Sequence, residues 1–589
     1  MGGRARQGGD VRGQRWRAAG WLALACALVA LGLTLRLVHP GSDPPLTLSR
    51  SNAEITDAAW YLDDAVRRVR RLPDDPYDRR HFGHYRKPIV TWSALWVFGD
   101  RADYPRAQRW AALWGAGLVA AGMGFAWTAW GASAGLFAGL LLACGFVFVG
   151  YGRTPVVYGP LATALALLAW LRVAAGRSPV LRAAVAVGLV GLALGLKENA
   201  VVVLPALALL EWLESRPSWR VGLLVASALV VAGLGVYALE PRLVRLTWAK
   251  ATAYLGGGGP FEVAKRWLRC PFASGLTLRS PLVAALGWCG IGAVFVLRRS
   301  WRASPASRAA VLAAGWAAGW FAVHALFEYL EGGPPPMRHL LGALVPAALL
   351  SAWVLSRLVR GLPSGAFALR PLPFVLWVWL GAYWLVGTGW SAVWPRLSAS
   401  LRASGALRWW VSFAGIAVTA AVLAVLAAVW ARRRGWSVAL RPGRRPWLVA
   451  LLVVAALGVD AWWLAGPIAR PGWSLLRANA ELASWLAPGA RLYGPWAHAL
   501  TWSAPRIERH LPPHRIRAIL ERSTRMTHLV IDRGWTRDLL RQYEHNGIRL
   551  ERLALLRVRG HPIVLFRYPW AQRLGYRLSE RERAAQTAR

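Results

Sequence analysis

The chain is 589 residues long, 56% hydrophobic and only 17% charged, with a mean hydropathy of +0.35. That balance excludes a soluble multidomain enzyme and indicates a polytopic membrane protein. A formal charge of +43 invites a nucleic-acid partner. The arginines, however, are scattered through the loops between apolar runs, which argues for positive-inside loops, with a smaller share for anionic lipids or phosphorylated substrates.

Residues 1–19 form a basic N-terminus, expected on the cytoplasmic side, and Gly20–Val38 is apolar for about one bilayer thickness. No small-residue cleavage site follows, so this run reads as a retained span. The next stretch, an outward loop at 39–105, interrupts the hydrocarbon pattern with Glu54, Asp57, Asp63, Asp64, Asp74, Asp75 and Asp78. Such a segment belongs at an aqueous interface or in a cavity. Ala53–Arg71 has helical periodicity and places Glu54 and Asp57, at i and i+3, on one face. Asp63 and Asp64 are spaced to pair with Arg67 and Arg68 at i+4. Pro88–Phe98 reads as a second helix, too short to cross and therefore interfacial or re-entrant.

Further spans are expected near 106–130, 132–151, 158–175, 181–197, 198–213, 219–239, 281–297, 309–330, 339–358, 371–390, 406–430 and 447–465. With the first, that makes about thirteen in a transmembrane domain covering 20–465. Loops Arg172–Arg182, Glu214–Arg220, Arg298–Arg308, Arg357–Arg370 and Ala431–Pro446 are rich in arginine and read as cytoplasmic. The acidic loop, Arg153, Lys197, the long 240–280 loop and Arg338 then face outward. So do all the lysines, Lys87, Lys197, Lys250 and Lys265. An odd span count also places 466–589 outside. That tail mixes helix-like stretches (Trp473–Leu486, Thr536–Glu544) with strand-like ones (Arg491–Tyr493, His528–Ile531, Pro562–Tyr568), as in a small extracytoplasmic α/β domain. Its His498, His510 and His514 have no metal-ligand spacing and read as solvated or structural. Cys26, Cys144, Cys270 and Cys289 suggest neither a disulfide framework nor a zinc site.

Four segments, in order, carry a family likeness. TDAAWYLDDA (Thr56–Ala65) is similar to an Asp-Glu-x-x-Tyr helix, with Asp57 and Tyr61 matching and Ala58 in place of the glutamate. HYRKPIVTWSALWVFG (His84–Gly99) is similar to a Lys-Pro-Pro-Leu-x-Tyr-Trp segment. GLALGLKENAVVVLP (Gly191–Pro205) resembles a Gly-x-Ala-x-x-x-Lys segment, and RHLLGALVPAALL (Arg338–Leu350) a His-Tyr-x-x-Pro-x-x-Pro stretch. Together they resemble the GT-C superfamily of membrane glycosyltransferases, particularly the protein O-mannosyltransferase and lipid A aminoarabinose transferase branch. The KENA wording is also similar to archaeal-type flippase-associated membrane proteins. The likeness spans roughly residues 15–360. It departs from the branch at Ala58 and at Tyr158, where a second acid would fall.

The resemblance implies a mainly α, GT-C-like membrane fold and transfer of a sugar from a polyprenyl-phosphate donor to a lipid, glycan or protein acceptor at the outer face of the cell membrane. It implies no cofactor and no nucleic-acid partner, and leaves a divalent metal open. Asp57 would be the general base, with Glu54 the acid placed to substitute for the missing neighbour. Lys87, Arg153, Lys197 and Arg338 would hold donor phosphate and sugar oxygens. Tyr61, His84 and His339 would help position substrate, and Trp60 and Trp92 could serve as sugar platforms. The departures keep a second reading open, a catalytically inactive GT-C relative acting in lipid-linked glycan export or assembly. A secondary transporter is disfavoured, because no inverted repeat stands out and few charges fall within spans.

Overall fold

The computed structural model describes residues 8–49, 51–73, 86–176, 178–214, 279–296, 301–302, 304–327, 337–360, 446–504, 506–510 and 516–587. The expected spans at 219–239, 371–390 and 406–430 lie outside the described residues, as do the 240–280 loop with Lys250 and Lys265, His84 and His514. The chain divides into two compact units. One takes Met1–Leu35, Trp114–Val149 and Tyr158–Leu464; the other takes Arg36–Leu113, Gly150–Val157 and Ala465–Arg589.

Among the described residues, four helical stretches are long and apolar enough to cross a bilayer: Ala18–Leu37, Tyr104–Trp130, Arg338–Val359 and Val449–Trp485. A fifth crossing arises if Ala132–Cys144 and Phe146–Arg153, bent by 57°, form one broken span. The break frees the Phe146 amide, which donates to Asp460 Oδ1 at 2.9 Å. An intramembrane carboxylate thus satisfies a backbone group that lipid could not. The expected pair of spans at 181–197 and 198–213 is built differently. Helix Pro179–Leu196 is followed by a 3₁₀ turn, Glu198–Val203, and by helix Leu204–Glu214 of 11 residues. At roughly 16 Å, that last helix reaches only about half the thickness of a hydrocarbon core, so it does not cross alone.

In the first unit, helix Met337–Arg360 packs on Pro281–Val296, Pro305–Phe327, Ala132–Cys144 and Tyr158–Ala174. Small residues allow this close approach: a Cβ added at Gly287 or Gly290 would lie 2.7 Å from Ala347 or 2.8 Å from Leu350. Gly342 is tighter still, because its added Cβ would fall 2.1 Å from Trp320 Cε2. The indole cannot simply swing aside, since its Nε1 donates to His339 O at 2.7 Å. Gly342→Val is therefore expected to destabilise the protein by about 1–3 kcal/mol. Thermal melting in detergent checks this, and an unchanged midpoint would refute it. Arginines from two loops expected to be cytoplasmic also meet glutamates at the start of a third here. Arg172 reaches Glu211 and Glu214 at 2.5 and 2.7 Å, Arg182 reaches Glu214 at 2.8 Å, and Arg308 lies 3.5 Å from Glu214.

The second unit is built on a five-stranded sheet of order β2-β1-β3-β5-β4. Its strands are β1 (Arg491–Tyr493), β2 (Glu508–His510), β3 (His528–Asp532), β4 (Glu551–Val558) and β5 (His561–Arg567). β1 runs parallel to β2 and β3, whereas β5 is antiparallel to β3 and β4. Helix Arg533–His545 lays Leu539 and Tyr543 on Leu529, Ile531, Phe566 and Tyr568 to form the core. The β4–β5 turn is Arg559-Gly560, with φ of 50° and 79°. Both values are positive, as a two-residue type I′ hairpin turn requires.

The acidic loop is part of this same unit. Asp43 caps helix Ser474–Trp485 from far away in sequence, accepting from Ser474 N at 2.8 Å, Ser474 Oγ at 2.6 Å and Leu475 N at 2.9 Å. The expected Ala53–Arg71 helix is two helices, Ala53–Tyr61 and Asp63–Arg70, joined at Leu62 and ended by Arg71 in the left-handed region. Pro88–Phe98 is helical as expected, with Lys87 at its N-cap.

Candidate active site

Helix Ala53–Tyr61 is held at its start by the sheet. Asn52 Nδ2 donates to Asp532 Oδ2 at 3.3 Å, and Trp496 Nε1 donates to the same oxygen at 3.0 Å. The buried face of the helix carries Glu54, Ile55, Ala58 and Tyr61. Glu54 is fully buried and Asp57 half-buried, one turn further on.

A guanidinium that sequence reasoning missed sits behind Glu54. Arg559, projected by the hairpin turn, donates from Nη1 to Ser51 O at 2.9 Å and from Nη2 to Pro45 O at 3.2 Å and to Ser49 O. Burial lowers its pKa, and Glu54 is the strongest of the groups opposing that shift. Arg559 therefore holds down the strand entering the acid-bearing helix and supplies positive charge to its buried carboxylate. Arg153 comes in from another segment of the unit, with Nη2 donating to Ser42 Oγ at 2.7 Å and to His39 O at 3.3 Å. Gln108 supports the same turn, donating to Ser42 O at 2.8 Å. Tyr104 lies within electrostatic reach of Asp43, Arg559 and Arg153. The structure thus sets Arg559 against Glu54 and Arg153 against the 39–42 turn, with Tyr104 within electrostatic reach of both arginines. Asp57, Tyr61 and Lys87 belong to the same unit, Tyr61 and Lys87 being buried.

Lys197, Arg338 and His339 belong to the first unit. Lys197 Nζ stands 5.7 Å from the ring centre of Tyr158, and His339 packs on that ring with centroids 4.6 Å apart. The aromatic that replaces the expected acid is therefore in contact with two expected binding residues. Sequence reasoning also missed His324, stacked on Trp320 at 4.8 Å with Nε2 2.8 Å from Asn199 Nδ2. Trp92 is exposed, with Arg68 over its ring at 5.8 Å.

Asp63 and Asp64 do pair at i+4, with Arg67 at 2.6 Å and Arg68 at 3.2 Å. Asp63 does more than that spacing foretold. Its Oδ1 also meets Arg509 Nη2 at 2.8 Å and lies 3.4 Å from His498 Nε2. Burial by itself would raise the Asp63 pKa, but His498, Arg509 and Arg67 overcome it and hold the carboxyl well below its usual range. Nearby Arg70, donating to Thr501 O at 2.8 Å and Ala102 O at 2.6 Å, is brought down to about 9 by burial and by Arg509. This is a fastening within the second unit. Among the described residues, no group of three or more His, Cys, Asp or Glu side chains could hold a metal ion.

No protein-family model matches the chain, and no curated protein matches it. Several solved structures do. ArnT from Cupriavidus metallidurans bound to undecaprenyl phosphate is 18% identical, with a TM-score of 0.47, over 93% of this chain and 98% of that one. The same protein in the apo state is 16% identical at a TM-score of 0.49, with the same coverage. The archaeal oligosaccharyltransferase AglB from Archaeoglobus fulgidus, in complex with an inhibitory peptide and a dolichol-phosphate, is 11% identical at a TM-score of 0.41, over 88% and 70%. The chain is thus similar over most of its length to ArnT and, over a smaller share of that protein's own length, to AglB.

Proposed function

We propose that the protein is an integral, multi-pass membrane glycosyltransferase that moves a sugar from a polyprenyl-phosphate donor to an acceptor at the outer membrane face. The observation that carries this reading is the arrangement at helix Ala53–Tyr61: two carboxylates one turn apart, with Arg559 behind the buried one and Arg153 on the nearby 39–42 turn of the same unit. In the proposed reaction Asp57 takes the acceptor proton as the acceptor atom bonds to the anomeric carbon. The bond from that carbon to the phosphate oxygen breaks, and polyprenyl phosphate leaves with the electron pair. A base and fixed positive charge are what such a transfer needs.

Glu54, buried and faced by Arg559, is assigned to holding the helix rather than to the proton transfer. Lys87, Arg153, Lys197 and Arg338 are assigned to donor phosphate and sugar oxygens, Tyr61 and His84 to substrate positioning. The acceptor is a lipid, glycan or protein, and no cofactor is required. The C-terminal α/β domain is placed outside the cell membrane, following the arginine bias of the loops. One observation favours the second reading, an inactive relative in glycan export: the position of the second acid holds Tyr158, its ring tilted against that of His339.

Transfer of labelled sugar from a polyprenyl-phosphate donor, measured on protein in lipid nanodiscs, tests the activity. Lys197→Ala is expected to weaken donor binding about tenfold while the protein stays folded, the loss of one charge-assisted contact. Unchanged donor affinity in folded Lys197→Ala would remove Lys197 from the donor site. No turnover with any donor would favour the export reading.

A further inference from the structure

We propose that the second unit carries a separate anion pocket that binds a phosphate-bearing group. A cleft of about 240 Å³ is lined by Arg67, Arg491, Arg509 and Arg525, together with His510, Glu508 and the apolar Leu72, Pro73 and Met526. It is smaller than the roughly 300–1,000 Å³ of sites for drug-sized ligands, so it suits a headgroup-sized anion. Its charge is lopsided. Among the described residues, the carboxylates against the four guanidinium groups are Glu508 in the lining and Asp63 behind it. Arg522, buried behind His510 with Nη2 3.2 Å from its Nδ1, adds further positive charge.

The pocket is built on rigid strands. Arg491 and Glu508 are register partners at the starts of β1 and β2, 3.3 Å apart, and Arg525 precedes β3. His510, 3.7 Å from Glu508, and then Arg491 keep the Glu508 carboxylate charged, below its ordinary range. Arg67 and Arg509 are buried and engaged, Arg67 with Asp63, Pro73 O and Arg509 O, and Arg509 with Asp63. They supply fixed positive charge at the floor, whereas Arg491 and Arg525 are exposed at the mouth and are assigned the direct contacts to the ligand. Two exposed guanidinium groups at the mouth, backed by the buried charge of Arg67 and Arg509, suit the oxygens of a phosphate. The pocket is also distinct from the candidate active site. Its lining takes the first residue of β1, the whole of β2 and Arg525-Met526 before β3, whereas the Ala53 helix is held through Asp532 at the C-terminal end of β3.

The test is binding of inorganic phosphate to the full chain in phosphatidylcholine nanodiscs, measured by equilibrium dialysis at low salt. Arg525→Ala should weaken binding about tenfold, and so should Arg491→Ala. Glu508→Gln should tighten it severalfold, a gain that misfolding cannot produce. Arg153→Ala, at the proposed donor site, should leave this binding in place. Equal affinity in wild type, Arg525→Ala and Glu508→Gln overturns the proposal, and so does loss of all binding in Arg153→Ala. Nanodiscs that also contain phosphatidylglycerol then identify the source. Competition with phosphate that disappears in Arg525→Ala assigns the pocket to a lipid headgroup. Undiminished phosphate binding assigns it to a soluble phosphate-bearing group, and either result upholds the pocket.

Discussion

Asp57→Asn is expected to lower sugar transfer by about 10²-fold or more, with little change in donor affinity. The amide keeps the size of the carboxylate but cannot take the acceptor proton. Donor affinity should hold because a carboxylate repels a phosphate if it acts on it at all. Glu54→Gln is the informative partner. Glu54 is fully buried and attracted by Arg559, so its substitution should show first as lost stability. If Asp57→Asn keeps near-normal turnover while folded Glu54→Gln loses it, the base lies one helical turn earlier than proposed. That outcome would also explain how the helix works with Ala58 where the resembling branch has glutamate.

Asp63→Ala is expected to cost about 3–5 kcal/mol, the penalty for leaving buried charges without their partner. Arg67, Arg509 and His498 would face one another across an emptied site. Scanning calorimetry of the detergent-solubilised protein reads this as a lower transition for the sheet-containing unit. An unchanged transition would mean that these arginines find water or other acceptors. The same centre fixes a pH dependence. Asp63 is depressed in the folded state, so its contribution is complete above the ordinary carboxylate value of about 3.9 and is lost as pH falls through the lower folded value. Burial also depresses His498, partly opposed by Asp63. Its contribution is complete above about 6.5 and declines as pH falls below that. Acid should therefore loosen the unit in two stages, the second of them absent in Asp63→Ala.

Local signals were read well from the sequence. Pro at N1 and an apolar run gave helix Pro88–Phe98 to the residue, and β1 was found at its observed bounds. The i+4 spacing gave both Asp–Arg pairs. What escaped was non-local. β2 is three residues long and reads Glu-Arg-His, so no apolar alternation marks it, although Arg509 on it completes the Asp63 centre. β4 is irregular between Arg552 and Ala554 and exposes Leu555 beside buried Ala554 and Leu556, so no clean apolar–polar alternation marks it. Arg559 looked like one loop arginine among many. Its Arg-Gly turn between two runs of β-forming residues was the available clue, and turn chemistry says only that a hairpin forms, not what its tip will touch. The division of Ala53–Arg71 at Leu62 has no glycine or proline to announce it. The candidate acids and cations come from motifs, whereas the placing of Arg559 against Glu54 comes only from tertiary structure.

The capping of helix Ser474–Trp485 by Asp43 links residues 431 positions apart. A ribosome adding about 5–20 residues per second needs roughly 20–90 s to make that interval. Throughout that time the early loop has left the exit tunnel while Asp43, Asp63 and the carbonyls of Pro45 and Ser49 still await the groups that will satisfy them. Maturation of this protein is therefore gated by its last fifth: a chain released before β5 carries its acid-bearing helix on an unfinished support, open to proteases and chaperones.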